Sequence, residues 1–362
     1  MKNKKKSFCC LLCLIFFSAT SVILAQTKLI KMTDSDTSLS VAETAIETTS
    51  DEKYIKWVDF SITYEALCLA YELDVASYGS PVHLNWIELL SYTGAKYGGI
   101  FGKDSLSTIQ KLANELLAGQ TTIDELTESM KYYEYYLEAY SAVLGGMVGE
   151  YQIEQLNDSG EKVMKTVYGL KSFSPIAKGF PYNDYDDFGS SRSYGYKRQH
   201  LGHDMMGQIG TPIIAIESGY VEALGWNQYG GWRIGIRSFD KKRYYYYAHL
   251  RQNFPYALNL EEGSIVTAGD VIGYMGHTGY STIENTNNID TVHLHWGLQL
   301  IFDESQKEGN NEIWVDCYAL TRFLYKNRSL TEKNTETKEW SRVYHMIDPA
   351  VEAFCSSPEN GN

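Results

Sequence analysis

The sequence predicts an α+β multidomain protein, an N-terminal α-helical domain followed by an antiparallel β-sheet domain. Apolar residues recur at helical spacing from about Trp57 to Tyr151. Further on, short β runs bounded by Gly, Asn and Asp take over, with connections short enough to favour antiparallel pairing. Length and composition allow buried cores: 362 residues with 44% hydrophobic and 14% aromatic content suit packed interiors rather than disorder.

The chain opens with Lys2, Lys4, Lys5 and Lys6 ahead of an apolar run from Phe8 to Ala25, the pattern of an export segment over residues 1–26. Ala25 is a candidate cleavage residue. Ile23 and Leu24 before it are larger than a cleavage site prefers, so signal peptide and uncleaved membrane anchor both stay open. Cys9, Cys10 and Cys13 read as apolar fillers within that run. Residues 27–52 are rich in Thr, Ser, Asp and Glu and form a polar linker or stalk.

Residues 53–156 read as a helical domain of unassigned role. Its apolar stripes are Ala66, Leu67, Ala70 and Leu73, then Ile109, Leu112, Leu116 and Leu117, then Met130 to Leu144. Gly79-Ser80-Pro81, Gly98-Gly99 and Gly145-Gly146 punctuate it. Residues 157–179 read as a connector, 180–330 as the β domain and 331–362 as a C-terminal extension. Candidate strands are Pro212–Ile216, Tyr220–Gly225, Trp232–Arg237, Tyr244–Leu250, Val271–Met275 and Val292–Ile301. The polar loops Ile283–Asp290 and Asp303–Glu312 stand at strand ends, where they can wall a groove.

Lys and Arg number 32 against 45 Asp and Glu, a net charge of −13, which argues against nucleic acid or an anionic lipid surface as the main partner. Beyond the export segment only Cys68, Cys317 and Cys355 remain. They allow at most one disulfide and no cysteine-based zinc site.

The chemistry concentrates in a few motifs. In Thr291-Val292-His293-Leu294-His295-Trp296, strand alternation aims both imidazoles at one face, with Val292, Leu294 and Trp296 towards the core. Two polar rings on a strand built for burial are costly unless something occupies them. About ninety residues earlier, His200 and Asp204 in Gln199-His200-Leu201-Gly202-His203-Asp204 are donors of the types zinc accepts. If that segment is extended, positions 200, 202 and 204 share a face, Gly202 leaves room for an ion, and His203 points away. Two ligands here and one from His293 or His295 make a three-ligand site with an open fourth position, the catalytic kind of zinc centre. Spacing leaves the choice between His293 and His295 open.

The aromatic strand Tyr244-Tyr245-Tyr246-Tyr247-Ala248-His249-Leu250 adds His249, which alternation sets on the face of Tyr245 and Tyr247. A base and an oxyanion donor beside a metal-activated water are tasks for non-ligand histidines. His83, His203, His277 and His345 read as ordinary histidines. Tyr182-Asn183-Asp184-Tyr185-Asp186-Asp187 reads as a solvated acidic loop, because the regular calcium-loop signature is absent. The glycines of Gly273 to Gly279 read as turn formers, not a phosphate loop.

Taken in order, His200-x-Gly-x-Asp204, Tyr247-x-His249-Leu250 and His293-x-His295 resemble the M23 metallopeptidases, the lysostaphin and LytM-like endopeptidases that cut peptide bonds in bacterial peptidoglycan. The segments Gly210-Thr211-Pro212 through Gly219-Tyr220-Val221 and Gly263 through Gly276-His277-Thr278-Gly279 resemble that family's strands and hairpin, so the likeness covers roughly residues 180 to 320. It implies an antiparallel M23-like β domain with one zinc ion held by His200, Asp204 and His295. His249 and His293 would flank the metal's water as catalytic residues. It further implies hydrolysis of peptide stems or crossbridges of peptidoglycan, outside the cytoplasm or in the cell envelope of a bacterium. A non-hydrolytic envelope scaffold with the same fold is the alternative.

Overall fold

A computed structural model describes residues 54–193, 197–309 and 311–357. The export segment and the polar linker lie outside those residues. No helix among the described residues is long and apolar enough to cross a membrane.

The first helix, α1 (Tyr64–Ser77), starts where the Thr63 hydroxyl accepts the Ala66 amide at 3.3 Å. Helix α2 (Trp86–Tyr97) starts at Asn85, whose side chain accepts from Ile87, and stops at Gly98 with φ +63°. It is followed by α3 (Lys103–Leu117), the short α4 (Ile123–Thr127) and α5 (Tyr133–Leu144). Helix α3 buries Ile109, Leu112 and Leu116, but Leu117, one step round the helix, is exposed. The apolar stripes named above do not mark α2. It packs directly on α5 because Gly94 has no side chain: a Cβ there would stand 2.9 Å from the Tyr140 hydroxyl and 3.1 Å from the Tyr136 ring.

The helical reading runs too far along the chain, and the stretch read as a connector is not one. Strands β1 (Val148–Leu156) and β2 (Lys162–Leu170) form an antiparallel hairpin about the turn at Asn157–Gly160. Tyr151 and Ile153 pack against Phe173, Ala177 and Ile214, so the hairpin has an apolar face of its own to bury.

The strands of the site-bearing region follow: β3 (Asn183–Asp184), β4 (Ser191–Ser193) and β5 (Lys197–Gln199), β6 (His203–Met206), β7 (Pro212–Ile214), β8 (Gly219–Asn227), β9 (Gly231–Ser238), β10 (Arg243–Ala248), β11 (Ile265–Val266), β12 (Val271–Tyr274), β13 (His293–Leu300) and β14 (Ile313–Val315), of which β4 with β5 and β7 with β12 form separate pairs. All six candidate strands exist, each within a few residues of its expected ends. The main sheet is antiparallel in the order β11-β8-β9-β10-β13-β6-β3, with β14 on β13. The chain closes through α6 (Tyr318–Leu324), β15 (Thr331–Lys333), β16 (Trp340–Arg342), β17 (Met346–Ile347) and α7 (Pro349–Cys355). Strand β17 pairs with β1, which ties the C-terminal stretch to the hairpin.

The helices do not close on a separate interior. One buried apolar cluster holds Ile62, Leu67 and Tyr140 together with Leu294, Trp296, Leu298 and Phe323. Arg243 on β10 reinforces the join: it is buried, pairs with Glu217 at 2.7 Å, and donates to the Ala142 carbonyl near the end of α5 at 3.0 Å. Cys68, Cys317 and Cys355 are all free.

Candidate metal centre and its cleft

Strand β13 presents its two histidines as alternation requires. Leu294 and Trp296 are fully buried on the opposite face. Its neighbours complete the constellation, since His295 lies directly across from Asp204 on β6 and from Ala248 on β10. Residues directly opposite in antiparallel strands share a face, so Asp204 and His295 are neighbours by register. His200 precedes β6 rather than lying in it, and is held by its amide donating to the Ser190 carbonyl at 3.0 Å.

Three donor atoms converge. His200 Nε2 lies 3.0 Å from Asp204 Oδ1 and 3.1 Å from His295 Nδ1, and His295 Nδ1 lies 2.8 Å from Asp204 Oδ1. The Nδ1–H of His200 donates to Asp187 Oδ1 at 3.1 Å, so the neutral imidazole would present its Nε2 lone pair to a cation. Acceptors at this spacing repel unless protons or a cation lie among them. Donors 2.0–2.1 Å from a tetrahedral zinc would be about 3.3 Å apart, within a few tenths of an ångström of this triangle. The two-histidine, one-carboxylate set therefore fits zinc.

Gly202 serves this arrangement differently from the sequence expectation. A Cβ there would meet the His295 ring at 2.6 Å and the Trp296 carbonyl oxygen at 2.8 Å, so the glycine makes room for the His295 ring. The acidic loop is likewise not simply solvated. Asp187 accepts from the Nδ1–H of His200 and pairs with Arg192, whose Nη2 also reaches Asp204 Oδ2 at 3.3 Å. Asp184 accepts from His203 Nε2 at 3.0 Å and holds that buried ring away from the donors. Asp187 and Arg192 are the site residues that sequence reasoning missed. The signal for Asp187 was chemical, since a metal-binding imidazole needs a partner for its other nitrogen.

His249 reaches the cleft by a backbone reversal. Alternation assigns it to the core face with Tyr245 and Tyr247, which are fully buried, but β10 ends at Ala248 and His249 adopts φ +60°. That turn carries its ring to the side of Tyr246. Its ring centroid is 4.7 Å from that of His293 and 5.8 Å from that of His295. Its Nδ1–H donates to the Thr278 carbonyl at 3.0 Å, and the Nδ1–H of His293 donates to the Thr291 carbonyl at 2.8 Å. Each ring thus keeps Nε2 for the cleft, and that of His293 stands 3.7 Å from Asp204.

Burial, then the charges of His293 and His295, push the His249 imidazole well below its ordinary value. Burial also lowers His295, outweighing the hydrogen bond and charge of Asp204. For Asp204 burial acts upward, but hydrogen bonds from His200 and His295 overcome it and hold the carboxyl far below the carboxylate range. For His200 burial acts downward, and Asp204 and Asp187 more than offset it.

These groups floor a cleft of about 710 Å³. Arg192 and Arg198 of the β4–β5 hairpin line it together with Tyr185, Tyr229, Tyr280 and Asn288–Thr291. The 283–290 loop thus walls the groove, as the sequence suggests. The described residues of 303–312 do not line it; Gln306 is instead buried, donating to the Ile55 carbonyl at 2.7 Å. His277 donates to the Ile289 carbonyl and His83 pairs with Asp74, both apart from the donors.

Residues 198–308 match Peptidase family M23. The L-Ala–D-Glu endopeptidase of Bacillus subtilis is 34% identical over 154 residues, 42% of this chain and 44% of that protein. The glycyl-glycine endopeptidase of Staphylococcus capitis is 39% identical over 98 residues, 27% of this chain and 24% of that protein. The alignments span less than half the length of these curated relatives. A crystal structure from Ruminococcus gnavus, assigned provisionally as a glycyl-glycine endopeptidase, aligns over 80% of this chain and 96% of its own at 24% identity and TM-score 0.50. It shares the fold, a helical region followed by an antiparallel sheet, well beyond the family segment.

Proposed function

We propose, with the M23 segment as premise, that this chain is a zinc-dependent endopeptidase acting on peptide stems or crossbridges of bacterial peptidoglycan, outside the cytoplasm. The observation that carries the reading is the triangle of His200, Asp204 and His295 at the floor of an open cleft, with two further histidines beside it. Relatives named for an L-Ala–D-Glu bond and a glycyl-glycine bond support the substrate class.

In this reading His200, Asp204 and His295 hold one zinc ion, which supplies Lewis acidity to a carbonyl and acidity to water. Asp187 orients His200 by fixing its proton on Nδ1. His249 and His293 both offer Nε2 to the cleft. Their ring centroids are 4.7 Å apart. The deeply buried His249 is the neutral partner that takes a proton from water. The proton that His249 takes from water is the one it would give back to the leaving amine, while His293 stands beside it with its own Nε2 facing the cleft.

The test is release of soluble peptide fragments from peptidoglycan by the purified chain, lost on chelation and restored by zinc. Stoichiometric zinc without any release would support the non-hydrolytic scaffold instead.

A further inference from the structure

The hairpin wall of the cleft contains an uncompensated charge. Arg192 on β4 and Arg198 on β5 are directly opposite in register, so two guanidinium groups share one face of a two-stranded ribbon. Like charges so placed repel. Arg192 is neutralised by Asp187 and Asp204. Arg198 makes no ion pair and no side-chain hydrogen bond among the described residues, and its Nε is buried without a partner. Asp290, which also lines the cleft, forms no ion pair with it. Among the described residues the group lies over the Tyr280 ring, 5.1 Å from the guanidinium carbon, and the Tyr280 ring is itself 6.1 Å from that of His249. A fork of donors therefore stands one aromatic ring away from the two further histidines, with no acceptor among the described residues.

We propose that Arg198 is a specificity-determining residue that binds a carboxylate of the peptide substrate, directing the cleft towards acidic stem peptides rather than neutral glycyl crossbridges. Guanidinium and carboxylate match in bidentate geometry, and Tyr280 holds the guanidinium plane at the cleft wall while its donors stay open. The inference deepens the peptidase reading and rests on it for the identity of the ligand as a peptide.

The experiment uses the full chain with zinc and two synthetic peptides, L-Ala-γ-D-Glu-L-Lys-D-Ala with its carboxylates free and the same peptide amidated, with amidated pentaglycine as a neutral control. Where turnover occurs, the free acid is favoured by roughly tenfold or more through KM, as expected for a charged hydrogen-bonded pair. Arg198→Gln removes that preference while leaving the amidated peptide unchanged, and Arg198→Lys keeps part of it. Calorimetric binding of the same peptides reads the preference without turnover. A chain that cleaves nothing would sink the peptidase reading, yet an acid-over-amide binding preference lost in Arg198→Gln would still support the assignment. Equal affinity of the unaltered protein for acid and amide overturns it. So does a loss in Arg198→Gln and Arg198→Lys that is the same for both peptides, which would mark Arg198 as a structural partner of Tyr280.

Discussion

Gly202→Ala is a single-methyl perturbation of the proposed metal centre. The added Cβ would stand 2.6 Å from two ring atoms of His295 and 2.8 Å from the Trp296 carbonyl oxygen. Carbon atoms in ordinary contact keep about 3.5 Å, so the ring must retreat by roughly 0.9 Å or the strand must move. The strand is the stiffer choice, because β13 is hydrogen-bonded to β10 on one flank and β6 on the other. Metal–donor distances tolerate only about 0.2 Å, so displacing His295 is expected to weaken zinc binding roughly tenfold to a hundredfold, the range seen when a ligand's support is lost. Competition with a chromogenic chelator measures it. Gly102→Ala is the control, since a Cβ there meets nothing within 4 Å. Zinc affinity in Gly202→Ala equal to that of the unaltered chain, with the fold intact by circular dichroism, would refute the argument that this glycine exists to seat the ring.

Other outcomes follow from the same geometry. His295→Ala should lose zinc, whereas His249→Ala should keep it and lose about 10²–10⁴ in turnover; full activity in His249→Ala would remove that residue from the chemistry. Asp187→Ala releases the Nδ1–H of His200, so zinc affinity should fall about tenfold or more, and an unchanged dissociation constant would mean the ligand is oriented by other contacts. Arg243→Ala leaves buried Glu217 without its counter-charge, with only the Tyr245 hydroxyl still donating to it, and strips a donor from the end of α5; urea unfolding should show a loss of about 3–5 kcal/mol, and a loss below about 1 kcal/mol would contradict the role of that pair in joining helices to sheet.

What was legible in the sequence was whatever depends on local period. His293 and His295 share a face because residues two apart in a strand must, and their opposite neighbours Leu294 and Trp296 are buried for the same reason. The strand-like alternation of Tyr151 and Ile153 with Glu150, Gln152 and Glu154 lies just beyond Gly145-Gly146, and it is the signal that separates β1 from the helices. What was not legible depends on one backbone angle or one distant contact. His249 has the wrong parity for the cleft until φ +60° reverses it, and no period in the sequence encodes that reversal. Gly202 shows its purpose only when the His295 ring arrives from across the sheet. Asp187 is thirteen positions before His200, on a loop whose composition resembles any solvated turn.

The arrangement of charges explains why these particular misses cluster at the site. A core residue is specified by being apolar on the right face, which many side chains satisfy, but a ligand set must exclude alternatives to within a fraction of an ångström. Here that constraint is met from both sides of each ligand: Asp187 on the far nitrogen of His200, Gly202 against the ring of His295, and Arg192 on the second oxygen of Asp204. Behind them, the opposite face of β13 is packed into a cluster shared with the helices, and β10 is bolted by Arg243 to α5. The helical region therefore stiffens the two strands that carry His249, His293 and His295, and a helix-side substitution that loosens Arg243 is expected to reach the metal centre through β10 rather than through the cleft.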